Sequence, residues 1–403
     1  MIPVGKGRIN AASLGPQLTP FSQFVLKINS SCNLACNYCY MYESADPVAA
    51  GGTVSMQDST IAQVARRIAD HAADHRLSRV AVIFHGGEPL LSGADSIARA
   101  ARVIRGEAGA GVTVDCSVQT NGVLLTERCV GLLADAGIRV GVSLDGDRVA
   151  NDRHRRFRDG RSSAVAVRRG IEILRSRPAM YAGLLSVIDL ANDPRATYEA
   201  LLAHEPPAID FLLPHGNWSH PPPGRPPDDS TPYGDWLIAV FDRWYDAPVQ
   251  ETRVRLFDQI IRGLVGFPSR SESIGLSPVS VLVVNTDGAL EQVDTLRTAY
   301  PGAVATSLNV FDHPFDEALI HPDVVRRQGG LAALSEVCRE CPVGRTCGGG
   351  YYPHRYRSGA GFDNPSVFCP DLFRLIRHIG GRVRADVASL KSGAPLGYRT
   401  AAH

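Results

Sequence analysis

The chain has 403 residues, of which 44% are hydrophobic and 21% charged, and its formal net charge is +1. This length allows one large core with a second, smaller domain, and the near-neutral charge gives no electrostatic reason to expect a nucleic-acid partner. The sequence contains no run of about 18 apolar residues, the length needed to span a membrane. Residues 1–18 lack the pattern of a signal peptide. We therefore expect a cytoplasmic protein without a membrane partner.

Residues 20–215 alternate apolar, strand-like runs with helical patterns. Strands are predicted at 24–28, 80–84, 112–118, 138–144, 181–188 and 209–213. Helical patterns lie between them, for example at 58–75, 127–136 and 163–175. Alternating units indicate a parallel sheet with helices outside it, and six units are too few for the closed eight-stranded barrel. We predict an α/β fold, a partial (β/α)6 TIM-type barrel, with its ligand at the carboxyl ends of the strands.

The rest of the chain divides into smaller pieces. Residues 219–232 are rich in Pro, Ser and Asp and cannot bury a core. Helical patterns at 233–245 and 251–265 precede a strand–turn–strand signal at 279–293 and a helix at about 370–390. We predict five segments: an N-terminal extension (1–19), the partial barrel (20–218), a linker with bridging helices (219–275), a cysteine-bearing C-terminal domain (276–385) and a tail (386–403).

Seven of the nine cysteines fall into two groups, and the first group follows the first predicted strand. Cys32, Cys36 and Cys39 leave three and then two residues between successive thiols. Clustered cysteines in a reducing compartment indicate metal ligands rather than disulfides. Thiolates hold iron–sulfur clusters, commonly four per cluster, so three on one loop can leave one iron open to an external ligand. Zinc is the less favoured alternative, because zinc motifs usually pair a two-ligand knuckle with ligands elsewhere.

This loop, with Tyr38 before its last cysteine, resembles the signature of radical S-adenosylmethionine (SAM) enzymes, and the resemblance covers about residues 20–385. It implies a [4Fe-4S] cluster on Cys32, Cys36 and Cys39, with SAM bound at the open iron. It also implies a 5′-deoxyadenosyl radical that removes a hydrogen atom from the substrate, and an electron donor such as ferredoxin or flavodoxin. The protein would then position the cofactors and the substrate and exclude water from the site.

A GGEP stretch after the second strand resembles the family segment that contacts the amino group of SAM. Gly86 and Gly87 would let the backbone approach the ligand closely, and Glu88 could receive an ammonium group. These three residues are therefore candidate SAM contacts.

Further SAM contacts are implied after the third and fourth strands. Gln119, Asn121 and Ser143 lie in stretches that resemble those lining the SAM pocket of the family. Arg155 matches the arginine of a D-x-x-R motif that pairs with the SAM carboxylate, and a guanidinium fork suits a carboxylate.

The second group comprises Cys338, Cys341, Cys347 and Cys369. Four thiolates can close a cluster completely, although a CxxC knuckle with two more cysteines is also a zinc pattern. The region resembles the SPASM extension, which carries auxiliary iron–sulfur clusters in radical SAM enzymes that modify peptides. The resemblance therefore implies a SPASM-like iron–sulfur extension with an auxiliary [4Fe-4S] cluster.

The full SPASM pattern has further cysteines for a second, inner auxiliary cluster. Ser280, Val293 and Tyr351 stand at those places, so we predict one auxiliary cluster rather than two. Asp294 follows Val293, and an aspartate there takes a proton from the substrate in sulfatase-maturing relatives. Asp294 is thus a candidate catalytic base, with a surface or hairpin-capping role as the alternative.

Segments 143–163, 211–218 and 338–370 are similar to FxsB-type maturases, many of which form cyclophanes in ribosomal peptides. The resemblance implies a ribosomally made precursor peptide as substrate, with an aromatic ring carbon joined to a β-carbon. Thioether formation, epimerisation and formylglycine formation in sulfatases would use the same clusters and SAM. The missing inner-cluster cysteines argue against formylglycine formation. A zinc-binding protein without catalysis is the non-enzyme alternative.

His71 and His75 are four residues apart on a predicted helix, as metal ligands can be. Ala72 stands where a zinc-protease helix would need a glutamate, and no third ligand is evident. We therefore interpret the two histidines as part of a solvated helix face.

Overall fold

The computed structural model describes residues 18–48 and 54–391, so most of the predicted extension (1–19) and tail (386–403) lies outside the described residues. Ten strands occur in the described residues: β1 (Gln23–Asn29), β2 (Arg79–Gly86), β3 (Thr113–Thr120), β4 (Ile138–Ser143), β5 (Tyr181–Val187), β6 (Ala208–Leu212), β7 (Arg253–Val254), β8 (Val281–Val284), β9 (Ala289–Glu291) and β10 (Ala305–Asn309).

The α-helices of the same residues include eight in the barrel and the segment that follows it: α1 (Asp58–Asp74), α2 (Ala94–Ala108), α3 (Glu127–Asp135), α4 (Arg148–His154), α5 (Ala164–Arg175), α6 (Pro194–Leu202), α7 (Pro232–Tyr245) and α8 (Arg255–Leu264). Five more follow: α9 (Phe315–Leu319), α10 (Pro322–Arg327), α11 (Glu336–Glu340), α12 (Gly344–Cys347) and α13 (Cys369–Lys391). No helix within these described ranges is long and apolar enough to cross a membrane.

Strands β1 to β6 pair in parallel in chain order. The sheet is open, because β6 continues to β7 at one side while β1 is followed by β8, β9 and β10 at the other. The predicted α/β fold and partial six-unit barrel are confirmed. The helical pattern predicted at 251–265 is shorter than expected, because β7 pairs with β6 before α8 begins.

Alternation along the strands separates the two faces of the sheet. Val80, Val82 and Phe84 of β2 are buried in the main apolar core, whereas His85 lines a cavity. In α1, Ile61, Val64 and Ile68 follow the helical period and join the same core. The apolar side chains therefore attach the helices to the sheet and leave polar side chains for the barrel mouth.

The strand–turn–strand signal near residue 286 forms a hairpin that joins the barrel sheet. Strands β8 and β9 are antiparallel, and β8 also pairs in parallel with β1. Gly288 has φ +85° in the turn, a conformation that favours glycine. The sequence predicted the hairpin but not its pairing with β1, and this pairing brings the residues after β9 to the end of the first strand.

Candidate active site

A cavity of about 470 Å³ lies at the carboxyl ends of the parallel strands, where Cys32, Cys36 and Cys39 line it. Within the described residues, no three thiols have all their sulfur atoms within 4.8 Å of one another. Four thiolates around a single zinc ion, each about 2.3 Å from the metal, would lie roughly 3.8 Å apart. The three thiols therefore do not form a preformed tetrahedral zinc site.

The environment of these thiols holds their protons in the absence of a metal. Burial raises the pKa of all three, that of Cys36 to about 11, while the Arg155 guanidinium opposes the rise. Without a metal the thiols are therefore protonated at neutral pH, and a cluster must displace their protons to bind.

Gly86 and Gly87 bring the end of β2 against the cysteine loop. A Cβ on Gly86 would lie 2.0 Å from the Asn29 carbonyl oxygen, and one on Gly87 would lie 2.4 Å from the Ser31 carbonyl oxygen. Both glycines line the cavity, and the Gly87 N–H donates to the Asn29 carbonyl at 2.8 Å. A side chain at either position would push β2 away from the loop, and the close approach of the two glycines to a ligand stays a prediction.

Glu88 lies behind the cavity wall instead of reaching the cavity. Its side chain is fully buried; Oε1 accepts from the Thr120 hydroxyl (2.7 Å) and the Leu90 N–H (2.9 Å), and Oε2 accepts from the Asn121 N–H (2.7 Å). Its carboxylate already has three protein donors. Glu88 does not line the cavity, and its contact with the Asn121 N–H supports a role in positioning Asn121. That Glu88 receives an ammonium group stays a prediction.

Arg155 is buried, lines the cavity and donates from Nη1 to the Tyr38 hydroxyl at 3.0 Å. The Tyr38 hydroxyl in turn donates to Asp145, a cavity residue that the sequence analysis did not select. Burial alone would lower the pKa of Arg155, but Tyr38, Cys36 and Asp145 raise it overall, so the guanidinium stays charged. Its Nε is buried without a hydrogen-bond partner, and this spare donor suits an anionic ligand such as a carboxylate.

The neighbouring arginines lie in different surroundings. Arg153 is exposed over 42% of its side chain and pairs with Asp189 at 2.9 Å. Arg158 is also exposed and donates from Nε to the Cys32 carbonyl at 3.1 Å. Of these three arginines, only Arg155 lines the cavity.

Gln119, Asn121 and Ser143 line the cavity next to the cysteine loop, as the sequence analysis expected. The Gln119 amide donates to the Ser143 hydroxyl at 3.0 Å. The Asn121 amide lies 3.8 Å from the Cys32 sulfur and donates to Asn33 at 2.7 Å. These side chains, with Arg155 and Tyr38, form a polar wall beside the three thiols.

The second cysteine group surrounds a small cavity of about 40 Å³. Helix α11 carries Cys338, α12 ends at Cys347 and α13 begins at Cys369, and Cys341 also lines the cavity. A Cβ on Gly344 would lie 2.3 Å from the Cys338 carbonyl oxygen. Burial raises the pKa of Cys347 to about 12 and that of Cys369 to about 11. Four thiols that converge from three helices are a donor set that fits a closed cluster.

The three positions that lack the inner-cluster cysteines have other contacts. Ser280 accepts from the backbone N–H groups of Ser22 and Gln23 at the start of β1. Val293 and Tyr351 line the main cavity and belong to one small apolar cluster with Leu296. Two of the three replacements therefore present an apolar or aromatic side chain to the cavity in place of a thiol.

Asp294 is buried and forms an ion pair with Lys27 of β1. It also accepts from the Tyr40 hydroxyl at 3.0 Å. Burial would raise the pKa of Asp294, but Lys27 and His85 more than offset this and lower it to about 2. Tyr40 and His85 line the cavity and Asp294 does not. The base predicted from sequence is therefore linked to the cavity directly through Tyr40 and indirectly through Lys27 and His85. The surface-aspartate alternative is wrong, because the side chain is buried.

The part of the cavity near Tyr40 holds titratable rings that the sequence analysis missed. The Tyr40 and His215 rings meet edge to face at 5.0 Å, and the His215 and His354 rings at 5.9 Å. Nδ1 of His215 and both ring nitrogens of His354 are buried without a hydrogen-bond partner. Burial lowers the pKa of His215 to about 4 and that of His354 well below its usual range. No spacing in the sequence links residues 40, 215 and 354, so only the fold could reveal this cluster.

Comparison with known proteins agrees with this geometry. Residues 26–181 match the model of the Radical SAM superfamily. A serine-type anaerobic sulfatase-maturating enzyme of Klebsiella aerogenes is 27% identical over 401 residues, which cover 95% of this chain and 92% of the relative.

Solved structures share the fold. The structure of anSMEcpe with bound AdoMet and the Kp18Cys peptide has a TM-score of 0.74 at 20% identity, over 91% of this chain and 99% of that one. Streptococcus suis SuiB bound to its precursor peptide SuiA has a TM-score of 0.57 at 12% identity, over 87% of this chain and 76% of that one. These structures hold AdoMet or a peptide in folds similar to this one.

Proposed function

We propose that the protein is a radical SAM enzyme that modifies a ribosomally made precursor peptide by joining an aromatic ring carbon to a β-carbon. Residues 26–181 match the Radical SAM superfamily, and nearly the whole chain is similar to a sulfatase-maturating enzyme. The observation that supports the proposal most strongly is the set of side chains that lines the cavity beside Cys32, Cys36 and Cys39. Three thiols and Arg155 line one part of it, while the rings of Tyr40, His215 and His354 line another. Its volume of about 470 Å³ lies within the range of cofactor and ligand sites, roughly 300–1,000 Å³.

The thiols and the polar wall would hold the cofactors. Cys32, Cys36 and Cys39 would bind a [4Fe-4S] cluster, and the Arg155 guanidinium would pair with the carboxylate of SAM. When bound and reduced, these cofactors supply an oxidant that takes a hydrogen atom from the substrate. The family implies this cluster and SAM; the auxiliary cluster on Cys338, Cys341, Cys347 and Cys369 is part of the proposal.

The aromatic part of the cavity supports an aromatic substrate side chain. The His215 ring already makes edge-to-face contacts with the rings of Tyr40 and His354, and a substrate ring could add to this cluster in the same geometry. The unpartnered ring nitrogens of His215 and His354 could accept hydrogen bonds from the peptide backbone. The peptide-bound structural neighbours support a peptide rather than a small metabolite.

Formation of the crosslink removes two hydrogens from the peptide in total. One leaves the β-carbon as a hydrogen atom. The other leaves the ring after the new bond forms, as a proton and an electron, and the electron would pass to the auxiliary cluster proposed on the second cysteine group. We assign the proton to Asp294 through Tyr40: the Tyr40 oxygen would receive it while the Tyr40 hydroxyl hydrogen passes to the carboxylate 3.0 Å away. The Lys27 ammonium would hold the carboxylate ionised until then.

Formylglycine maturation of a sulfatase is the second candidate. It is favoured by the 27% identity to a serine-type sulfatase-maturating enzyme over nearly the whole of both chains. It is disfavoured by Ser280, Val293 and Tyr351, which replace the cysteines expected for an inner auxiliary cluster.

The test is coexpression with candidate precursor peptides encoded beside the gene, followed by mass spectrometry. Crosslinking and oxidation of serine to formylglycine both yield a product two hydrogen atoms lighter, so mass alone does not separate them. Formylglycine is an aldehyde and reacts with a hydrazide reagent, whereas a crosslinked peptide does not. A crosslink instead suppresses fragmentation of the peptide between the two joined residues in tandem mass spectrometry. A hydrazide-reactive product would reject the crosslink, and the variant with Cys32, Cys36 and Cys39 changed to Ala is the control without catalysis.

A further inference from the structure

His71, His75 and Asp316 converge on one point outside the barrel mouth. His71 lies in the last turn of α1, His75 follows its C-terminal end, and Asp316 lies in the first turn of α9. Oδ1 of Asp316 is 2.9 Å from Nδ1 of His71 and 2.8 Å from Nε2 of His75. The expectation of a solvated helix face is wrong for His71, whose side chain is 2% exposed, and the chain supplies the third group from a distant helix.

Both ring nitrogens of His71 face hydrogen-bond acceptors. Nε2 lies 3.1 Å from the Phe21 carbonyl oxygen and must therefore carry a proton. A neutral imidazole has one N–H, so Nδ1 would present its lone pair to the Asp316 carboxylate, which is also an acceptor. Two acceptors that face each other at 2.9 Å need a proton or a metal ion between them.

The geometry is close to that of a zinc site. Within the described ranges, this is the one group of three or more His, Cys, Asp or Glu residues whose ligand atoms all lie within 4.8 Å of one another. Nitrogen and oxygen ligands about 2.0–2.2 Å from a tetrahedral zinc ion would lie roughly 3.3 Å apart. The observed separations of 2.9 and 2.8 Å therefore need to widen by only a few tenths of an ångström.

The surroundings also resemble those of metal-binding histidines. Such a histidine usually donates its second N–H to a backbone carbonyl or a carboxylate, as His71 does to Phe21. The rings of Phe21, Phe24 and Phe315 lie 6.0, 6.1 and 6.1 Å from the His71 ring and shield this side from water. Asp316 remains 26% exposed, so solvent can reach the other side.

The donor set selects among metals. Two imidazole nitrogens favour a transition metal over Mg²⁺ or Ca²⁺, and the lack of a thiolate or thioether in the trio disfavours Cu(I). Burial would raise the pKa of Asp316, but hydrogen bonds from His71 and His75 lower it overall. The carboxylate is therefore ionised and able to act as a ligand.

We propose that His71, His75 and Asp316 bind one Zn²⁺ ion, with a water molecule in the fourth position. The ion links α1 of the barrel to α9, which follows the β8–β10 segment that carries Asp294. Because the ligands lie 241 and 245 residues apart in the chain, metal binding stabilises the packing of the C-terminal segment on the barrel. This site does not depend on the reaction proposed above.

Metal analysis of the full, cluster-loaded chain tests the proposal. After equilibration with excess zinc and removal of the free ion, the wild type should retain about one zinc per chain. His75→Ala and Asp316→Asn should lose this zinc while iron and sulfide stay unchanged. His378→Ala is the matched control, because it removes another histidine–carboxylate pair, with Asp242 at 2.7 Å, and should retain the zinc.

Thermal unfolding provides a second readout. Zinc should raise the unfolding midpoint of the wild type and of His378→Ala but not that of His75→Ala. Asp316→Asn keeps an oxygen that can accept hydrogen bonds, so a folded variant with at least tenfold weaker zinc affinity would locate the ion at the carboxylate. A wild type that retains no zinc, or variants that retain as much as the wild type, would overturn the proposal and leave an imidazolium–carboxylate network.

Discussion

Lys27 and Asp294 lie 267 residues apart in the sequence and form a buried ion pair beside the active-site cavity. The pair exists because β8 adds to the edge of the barrel sheet next to β1, so the segment after β9 reaches the end of the first strand. Nζ of Lys27 also lies 3.2 Å from Nδ1 of His85. The charge of the candidate base is thus set by a residue of the barrel.

Removing one partner of this pair should destabilise the protein strongly. We expect Lys27→Met or Asp294→Asn alone to lower the free energy of unfolding by about 3–5 kcal/mol, because each leaves a buried charge without its partner. The free energy of unfolding of the double variant should fall by much less than the sum of the two single losses, since neither buried charge remains. Midpoints of thermal unfolding, measured on all four proteins with equal cluster content, give the comparison. Additive losses would show that the two side chains do not stabilise each other.

The catalytic role of Asp294 can be separated from this stabilisation through Tyr40. Tyr40→Phe keeps the ring but removes the hydroxyl that links the cavity to Asp294. We expect normal iron content and SAM cleavage but little modified peptide, with 5′-deoxyadenosine accumulating instead. Tyr42→Phe is the matched control, since its hydroxyl donates to the Ser30 carbonyl at 2.6 Å. Normal product from Tyr40→Phe would remove the Tyr40–Asp294 path from the mechanism.

The sequence predicted what local patterns determine. The spacing of Cys32, Cys36 and Cys39 after a strand predicted that the three thiols lie together, and all three line one cavity. Strand alternation identified six parallel strands, and the position of Arg155 within its motif distinguished it from Arg153. These features depend on residues within one loop or one βα unit.

Features that depend on distant pairing could not be predicted. The contact of Lys27 with Asp294 requires the parallel pairing of β1 with β8, and no periodicity records which strands become neighbours. Asp316 reaches His71 for the same reason, from a short helix far along the chain. The orientation of Glu88 also lay beyond the sequence, because its motif does not record the face toward which the carboxylate turns.

Arg155 should contribute more to SAM binding than its neighbours. Arg155→Lys keeps the charge but loses the fork and the unpartnered Nε donor, and a lost hydrogen bond to a charged group costs roughly 1.5–3 kcal/mol. We expect SAM affinity to fall about 10- to 100-fold, measured by anaerobic equilibrium dialysis. Arg153→Lys changes an exposed side chain and should alter the affinity for SAM less than about twofold. Equal effects would show that Arg155 is not a special contact.

Iron content should correspond to two clusters. We expect about eight irons per chain after anaerobic reconstitution, four on each cysteine group. Changing Cys32, Cys36 and Cys39 to Ala should remove half of the iron and all SAM cleavage, and changing Cys338 and Cys347 to Ala should remove the other half. A wild-type content near twelve irons would contradict the loss of the inner auxiliary cluster. Zinc in place of iron at the second group would support the zinc alternative there.

His215 should make the protein sensitive to mild acid. Burial lowers its pKa in the folded state to about 4, against 6.5 for an exposed histidine. As the pH falls below 6.5, the unfolded chain therefore binds a proton that the folded chain does not bind until about pH 4, so stability is lost across this window.

His215→Gln should flatten the dependence of the unfolding midpoint on pH between 7.5 and 4.5. The difference between wild type and variant corresponds to at most roughly 3 kcal/mol. His354 contributes in the same direction, because burial also lowers its pKa, so the double variant His215→Gln/His354→Gln should be flatter still. His378→Gln, in which a side chain 30% exposed loses its contact with Asp242, is the control for removing a histidine elsewhere. Parallel curves for wild type and His215→Gln, at equal cluster content, would show that His215 is protonated as readily in the folded protein as in the unfolded chain.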